Sequence, residues 1–155
     1  MLLLANLHVQ SRPIWMSRHG ESQFNTQNRI GGDSALSPLG EKYAVKLTQF
    51  VTQVYPPHSD LAVWTSTMVR TGQTVAELAK NFEVVKWRSL DEIDTGLMDG
   101  LTYEEFAELY PEHYEARKND KLGYRYPRGE SYLDVFQRLE PVIFEMLRQR
   151  GPLLI

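Results

Sequence analysis

Cysteine is absent from the 155 residues. Its absence excludes disulfides, thiolate nucleophiles and cysteine-ligated metal or iron–sulfur centres. Histidine is scarce, with only His8, His19, His58 and His113. No two of them stand at the spacing of a zinc site, so no metal or other cofactor is expected. No apolar run approaches the roughly 20 residues of a membrane span. Met1-Leu2-Leu3-Leu4-Ala5 is apolar, but Asn6 interrupts it and no basic residue precedes it, which argues against a signal peptide. The expected compartment is the cytoplasm. There is also no Gly-x-x-x-x-Gly-Lys-Ser/Thr, hence no P-loop for ATP. Excess positive charge is missing too: 17 Lys and Arg against 20 Asp and Glu leave −3. That balance argues against a surface that grips nucleic acid or anionic lipid as a whole, while allowing a local basic pocket. What is present is ordinary globular material, in a length that suits one domain with a real core.

Strand-like and helix-like segments alternate. Arg12 and Pro13 lead into Ile14-Trp15-Met16, a short apolar run expected to be a buried strand that ends at Ser17. Ser37 suits an N-cap and Pro38 the first helical position. Leu39, Tyr43, Leu47, Phe50, Val51 and Val54 then form an apolar face at helical spacing, stopped by Pro56-Pro57. Leu61 to Trp64 is a second buried-strand candidate. Ser66 or Thr67 is the expected cap of a second helix with Val75, Leu78, Ala79 and Phe82 on its inner face. Val84-Val85 with Trp87 suggests a third strand, and Asp91 to Leu101 reads as loop. Thr102 with Glu105 is a capping box for a short helix that Pro111 ends. A longer helix starts near Ser131. Its apolar stripe is Val135, Phe136, Leu139, Val142, Ile143, Met146 and Leu147, and Pro141 is expected to kink it. Gly151 ends it, and Leu153-Leu154-Ile155 begins a further strand. The expected fold is a three-layer α/β sandwich with a mostly parallel sheet. In such sheets ligands bind beyond the carboxyl ends of the strands, which directs attention to Arg18-His19-Gly20 and to Ser66–Arg70.

Arg18-His19-Gly20-Glu21-Ser22 carries the sharpest chemistry. A neutral imidazole is a competent nucleophile at ordinary pH. Attack on phosphorus requires the phosphoryl oxygens to be neutralised, and a neighbouring guanidinium supplies a planar fork for that. Gly20 would let backbone approach a ligand closely. The plainer alternative is that His19 ends a strand and satisfies its own hydrogen bonds. Arg70, about one turn into a helix after a strand, can reach the same sheet edge; its plainer alternative is a solvated surface arginine. Asp91, Glu92 and Asp94 are three acids on one loop, among which the pattern alone does not choose. From Arg117 to Arg128 five basic residues stand against one acid, Asp120, with Tyr124 and Tyr126 interleaved and Tyr132 following. In an acidic chain this cluster suits a local anion pocket; a solvated charged loop and a nucleic-acid stacking platform are the alternatives.

These motifs resemble the histidine phosphatase (phosphoglycerate-mutase-like) superfamily. Arg29-Ile30-Gly31-Gly32-Asp33-Ser34, Trp64-Thr65-Ser66 with Arg70-Thr71, Glu92-Ile93-Asp94, Thr102-Tyr103-Glu104-Glu105 and Arg125-Tyr126-Pro127 leading to Gly129-Glu130-Ser131-Tyr132 narrow the resemblance. They are similar to the bisphosphatase domain of the bifunctional 6-phosphofructo-2-kinase/fructose-2,6-bisphosphatase family, from about Leu4 to Ile155. The resemblance implies that His19 becomes phosphohistidine, that Arg18, Asn25 and Arg70 hold the transferred phosphoryl group, and that Glu92 protonates the departing sugar hydroxyl. It implies sugar and second-phosphate contacts from Tyr103, Arg117, Lys121 and Tyr132, with the Ile30-Gly31 backbone facing the sugar. The implied partner is a small sugar bisphosphate, with no nucleic acid and no membrane. Residues 1–11 resemble the join to a preceding kinase domain, and 12–155 the phosphatase domain, incomplete at its C-terminus. His8, His58 and His113 receive no catalytic role.

The family carries a second catalytic histidine, in a His-Gln step after the strand that Leu153-Leu154-Ile155 begins, and further on a glutamine and an arginine that touch substrate. The sequence ends before them. The resulting expectation is a recognisable but impaired site and, if Ile155 ends the native chain, a terminal carboxylate that repels phosphate. A broader histidine phosphatase, a phosphoglycerate mutase and a sugar-phosphate-binding fragment without turnover are the competing functional readings.

Overall fold

The computed structural model describes residues 11–155. Met1-Leu2-Leu3-Leu4-Ala5, His8 and nearly all of the expected inter-domain join lie outside the described residues. Four parallel strands form the sheet: β1 (Ile14–Trp15), β2 (Ala62–Thr65), β3 (Glu83–Lys86) and β4 (Leu153–Leu154), in the order β1-β4-β2-β3. Val63 pairs with Val84 on one side and with Leu154 on the other, while Trp15 pairs with Leu154.

Side chains alternate across a strand, and here the alternation sorts residues into two cores. Val63, Val84 and Leu154 join Val51, Val75, Leu78 and Phe82 on one face of the sheet. Trp64, Val85 and Leu153 join Val142 and Met146 on the other. The first face is covered by α2 (Pro38–Val54) and α3 (Val69–Thr74), the second by α6 (Tyr132–Arg148). The layers are therefore helix, sheet and helix, as expected. Val63 and Leu153 are fully buried, each stabilising the fold by roughly 1.5–3 kcal/mol through area removed from water.

Local chemistry explains the helix starts. The Ser37 hydroxyl accepts from Gly40 N–H with Pro38 at the first position of α2, and Ser131 forms a capping box with Asp134 at α6. Thr102 and Glu105 form the expected box at α4 (Tyr103–Leu109). A four-residue helix α1 (Gln23–Thr26) opens the loop after β1 with its own box between Ser22 and Asn25.

Several expectations change. Ile14, Trp15 and Met16 are not buried: Met16 is 83% exposed, because β1 is an edge strand with nothing described against its outer side. Of the α2 face only Val51 is fully buried, and of the α6 stripe only Val142. Only the line of each helix that meets the sheet is covered; Leu39, Phe50, Phe136 and Ile143 point to solvent. Ala79 is exposed as well. Neither Ser66 nor Thr67 caps α3, whose N-cap residue is Met68 without a side-chain bond. The Val69 N–H is met instead by Asp33 from the preceding loop, at 2.7 Å. Pro111 ends one helix and begins the next, α5 (Pro111–Asn119), taking its first position. The helix α6 runs on through Pro141 to Arg148.

A third cluster lies outside the sheet. Ile30, Met98, Phe106 and Tyr126 bury one another under Tyr110, Tyr114 and Tyr124. It joins the long loop after β1 to the segments after β3: Ile30 N–H donates to Leu101 O at 2.7 Å and Gly100 N–H donates to Ile30 O at 2.8 Å. No helix among the described residues is long and apolar enough to cross a membrane.

Candidate active site

Parallel strands deliver the residues that follow them to one edge of the sheet. His19 follows β1, Arg70 follows β2 and Glu92 follows β3. These three sequence-distant side chains meet there, as the strand-end rule predicts.

His19 is held at both ring nitrogens. Nδ1 lies 2.7 Å from the Gly20 carbonyl, which can only accept, so Nδ1 carries the proton. Nε2 accepts from the Arg70 Nε–H at 3.0 Å. The unprotonated nitrogen thus faces the guanidinium. Burial lowers the pKa of His19 below 6.5; the Gly20 carbonyl raises it, the positive charges of Arg70 and Arg18 lower it further, and Glu92 raises it. The net result favours a neutral ring with a free lone pair.

Arg70 is almost entirely buried, with 3% of its side chain exposed. Its Nε reaches His19, Nη1 donates to Gly32 O at 2.8 Å, and Nη2 pairs with Glu92. Asp33 stands 3.9 Å from Nη1. Thr74 ties the two sides together: its hydroxyl accepts from Gly20 N–H at 3.0 Å and donates to Arg70 O at 2.7 Å.

The glycine after His19 has a different reason from the expected one. A Cβ on Gly20 would sit 2.5 Å from Gly40 O, and one on Gly40 would sit 2.1 Å from Glu21 O. The close approach that Gly20 permits is to the start of α2, not to a ligand. That contact presses the His19 loop against α2, where Glu21 accepts from the Ser37 hydroxyl at 2.6 Å.

The structure separates the three acids that the pattern left open. Asp91 is taken by the Thr67 N–H at 2.6 Å and the Thr67 hydroxyl, and Asp94 by the Gly96 N–H at 2.8 Å. Only Glu92 turns its carboxylate to Arg70. Asn25 uses its side-chain oxygen on Ser22 N–H at 2.9 Å, which leaves its NH₂ as the end available to an anion. Arg18, His19, Glu21 and Asn25 line one cavity of about 310 Å³; Arg18, His19, Arg70, Ser66 and Glu92 line another of about 230 Å³.

A second group forms on α4 and α5. Arg117 lies over the Tyr103 ring, its carbon 5.2 Å from the centroid, and donates from Nη2 to the Tyr103 hydroxyl at 3.3 Å. Its Nε donates to the buried Tyr126 hydroxyl at 2.5 Å. Burial pushes the Tyr126 phenol up against the opposing pull of Arg117, so it stays protonated and neutral. Tyr132 is half-buried at the start of α6 and its phenol lies within the electrostatic reach of Arg117. Lys121 is exposed. Ile30 pairs its N–H with Leu101 O and its carbonyl with Gly100 N–H, and Gly31 borders a cavity of about 400 Å³ shared with Glu92.

Four contributors were not singled out as site residues beforehand: Asp33, Thr74, Tyr126 and Arg138. Asp33 and Tyr126 lie inside motifs already noted. Thr74 and Arg138 act across 54 and 47 residues of sequence, so no local pattern marks them. Among the described residues no group of three or more His, Asp or Glu is arranged to hold a metal ion.

The chain is 52% identical, over all of its length, to the 6-phosphofructo-2-kinase/fructose-2,6-bisphosphatase of Arabidopsis thaliana, of which it spans 21%. It is 50% identical over 150 residues to the fructose-2,6-bisphosphatase of Saccharomyces cerevisiae, of which it spans 32%. It thus covers about a fifth to a third of these relatives' own length. Among solved structures, a mycobacterial glucosyl-3-phosphoglycerate phosphatase superposes with a TM-score of 0.75 at 26% identity, over 94% of this chain and 74% of that one. Residues 14–154 match the histidine phosphatase superfamily (branch 1), and the chain belongs to that family.

Proposed function

We propose that this domain hydrolyses the 2-phosphate of fructose 2,6-bisphosphate through a phosphohistidine at His19. The observation that carries the reading is the buried Arg70 fork, which holds the lone-pair nitrogen of His19 with one donor and Glu92 with another. The identities to fructose-2,6-bisphosphatases support the substrate.

The arriving phosphoryl oxygens replace His19 and Glu92 as partners of Arg70. Arg18 and the Asn25 amide complete the cradle. Phosphoryl transfer asks mainly for positioning and charge neutralisation, and two guanidiniums with an amide supply both. His19 Nε2 forms the bond to phosphorus as the bond to the sugar O2 breaks. Glu92, as general acid, gives a proton to that oxygen. Water then attacks the phosphohistidine, losing a proton to the Glu92 carboxylate and releasing inorganic phosphate and neutral His19. Arg117 and Lys121 take the 6-phosphate, with Tyr103 and Tyr132 against the sugar. The two-part names of the relatives support a 6-phosphofructo-2-kinase module as a covalent neighbour in the whole protein, and we place its work in the cytoplasm.

The test supplies fructose 2,6-bisphosphate labelled at the 2-phosphate, beside 2,3-bisphosphoglycerate. The reading requires an acid-labile label on the protein that His19→Ala abolishes, and phosphate release favouring the sugar ester. Release favouring the glycerate ester would move the domain to another member of the family's range, and binding without any label would make it a non-catalytic module.

A further inference from the structure

We propose that Arg138 and Glu130 form a clasp that sets the position of Glu92, making Arg138 a positioning residue for proton donation to the leaving group. The inference rests on the reading of Glu92 given above.

The segment from Ser89 to Asp94 has no strand partner; apart from the turn bonds of Leu90 N–H to Trp87 O and Asp91 N–H to Arg88 O, its backbone is held by Arg138 and Glu130. Arg138, midway along α6, donates from Nη1 to Ser89 O at 2.6 Å and from Nη2 to Asp91 O at 2.7 Å and Glu92 O at 3.3 Å. Nε donates to Glu130 Oε1 at 2.7 Å, and Nη2 shares its two hydrogens between the Asp91 and Glu92 carbonyls and Glu130 Oε2 at 3.0 Å. Glu130 closes the loop from the other end. Its Oε2 accepts from Asp94 N–H at 2.9 Å, and its own N–H donates to Asp94 O at 2.8 Å. Gly129 permits that contact, since a Cβ there would lie 2.3 Å from Asp94 O. The peptide of Glu92 is therefore pinned behind while its carboxylate faces Arg70 in front. Burial pushes Glu130 up, but the Arg138 guanidinium and the Asp94 N–H outweigh it and hold the carboxyl below its ordinary value.

A clasp serving only stability would affect every substrate alike. One serving the proton donor, in the step that phosphorylates His19, affects only substrates that need the proton. In Arg138→Lys the charge is kept and the fork lost; in Glu130→Gln the reach is kept and the charge lost. Each is expected to lower kcat on fructose 2,6-bisphosphate about 10- to 100-fold, with KM little changed, as displaced support of a reacting group does. On p-nitrophenyl phosphate, whose leaving group needs no proton, the burst of nitrophenolate that accompanies phosphorylation of His19 is expected within about twofold of the parent rate. In a Glu92→Gln background Arg138→Lys is expected to add no further loss. Equal losses on the two esters, or additive losses with Glu92→Gln, overturn the proposal. Amide hydrogen exchange of residues 89–94 gives a readout without turnover: it should quicken in both variants at unchanged Tm, and unchanged exchange overturns the clasp. Should one variant unfold, the other carries the same tests. A parent that neither hydrolyses the sugar ester nor forms phosphohistidine counts against the functional reading, while the exchange result still decides whether the clasp holds the loop.

Discussion

The two arginines to which the proposed function gives anions, Arg70 and Arg117, are built differently. Arg70 is sunk behind the sheet edge, and its fork is shared among an imidazole, a backbone carbonyl and a carboxylate. Arg117 lies over two phenol rings and is held by two neutral hydroxyls, with more of its surface open. The first arrangement is preorganised for charge that appears only during reaction, in a place where water screens little. The second presents a cation to a group whose charge does not change. Burial of a charge is costly unless it is paired and hydrogen-bonded, so the chain commits its buried guanidinium to the reacting end. In the proposed reading the ligand's far end meets the more open one.

The sharpest division should appear in kinetics. His19→Ala removes the nucleophile itself, so turnover should fall on the order of 10⁴-fold with loss of the covalent label. Arg70→Lys keeps one positive charge but cannot reach Nε2, Gly32 O and Glu92 together. Its kcat should fall roughly 10²–10³-fold, as removal of a preorganised donor does. Arg117→Lys should instead raise KM by about tenfold with kcat nearly kept, the mark of binding lost equally in ground and transition states. A kcat loss at Arg117 equal to that at Arg70 would erase the distinction between the two arginines. Smaller again is Tyr126→Phe, which removes one hydroxyl behind Arg117. Losing a hydrogen bond to a charged group costs about 1.5–3 kcal/mol at most, and the neighbouring Tyr103 contact persists. A KM rise of a few-fold, checked by initial-rate measurements, is therefore expected.

The same contrast governs what could be read from sequence. His19 and Arg70 were legible because parallel topology forces strand-end residues to one edge, and topology follows from alternating apolar segments; Glu92 was singled out by the family resemblance alone. Asp33 was not legible as the partner of the α3 N-terminus. A local rule assigns that task to Ser66 or Thr67, while Ser66 spends its hydroxyl on Thr71 and Met68 and Thr67 spends its own on Asp91. The choice among Asp91, Glu92 and Asp94 was equally closed to pattern. All three share composition and loop, and differ only in the partner each meets. Apolar periodicity also overstated burial along α2 and α6, because it marks a face without saying how wide the covering surface is. Tyr126 was visible among the basic residues, but its role behind Arg117 depends on the turn that brings it back to α5.

The smallest effect concerns protons. Burial, then the Arg70 and Arg18 charges, lower the pKa of His19 from 6.5, against the opposing pull of Gly20 O and Glu92. Because kcat/KM follows the free enzyme, its acid limb should fall at a pH below 6.5. Arg70→Gln removes one lowering charge, so the limb of its residual activity should move up toward the ordinary value. Stability should carry the same signature. Between the lowered value and 6.5 the unfolded chain binds a proton at His19 that the folded chain does not. Unfolding free energy therefore rises with pH across that window and is level above it. The stability associated with neutral His19 is fully present at pH 7 and is lost as acidity passes through the window. In His19→Asn that slope should vanish, leaving only the carboxylate contribution at lower pH. Urea midpoints of parent and variant, compared every half unit from pH 5 to pH 8, measure it. Parallel profiles for the two proteins would mean that the ring titrates in the fold as it does in water, and the argument for a preformed neutral nucleophile would fail with them.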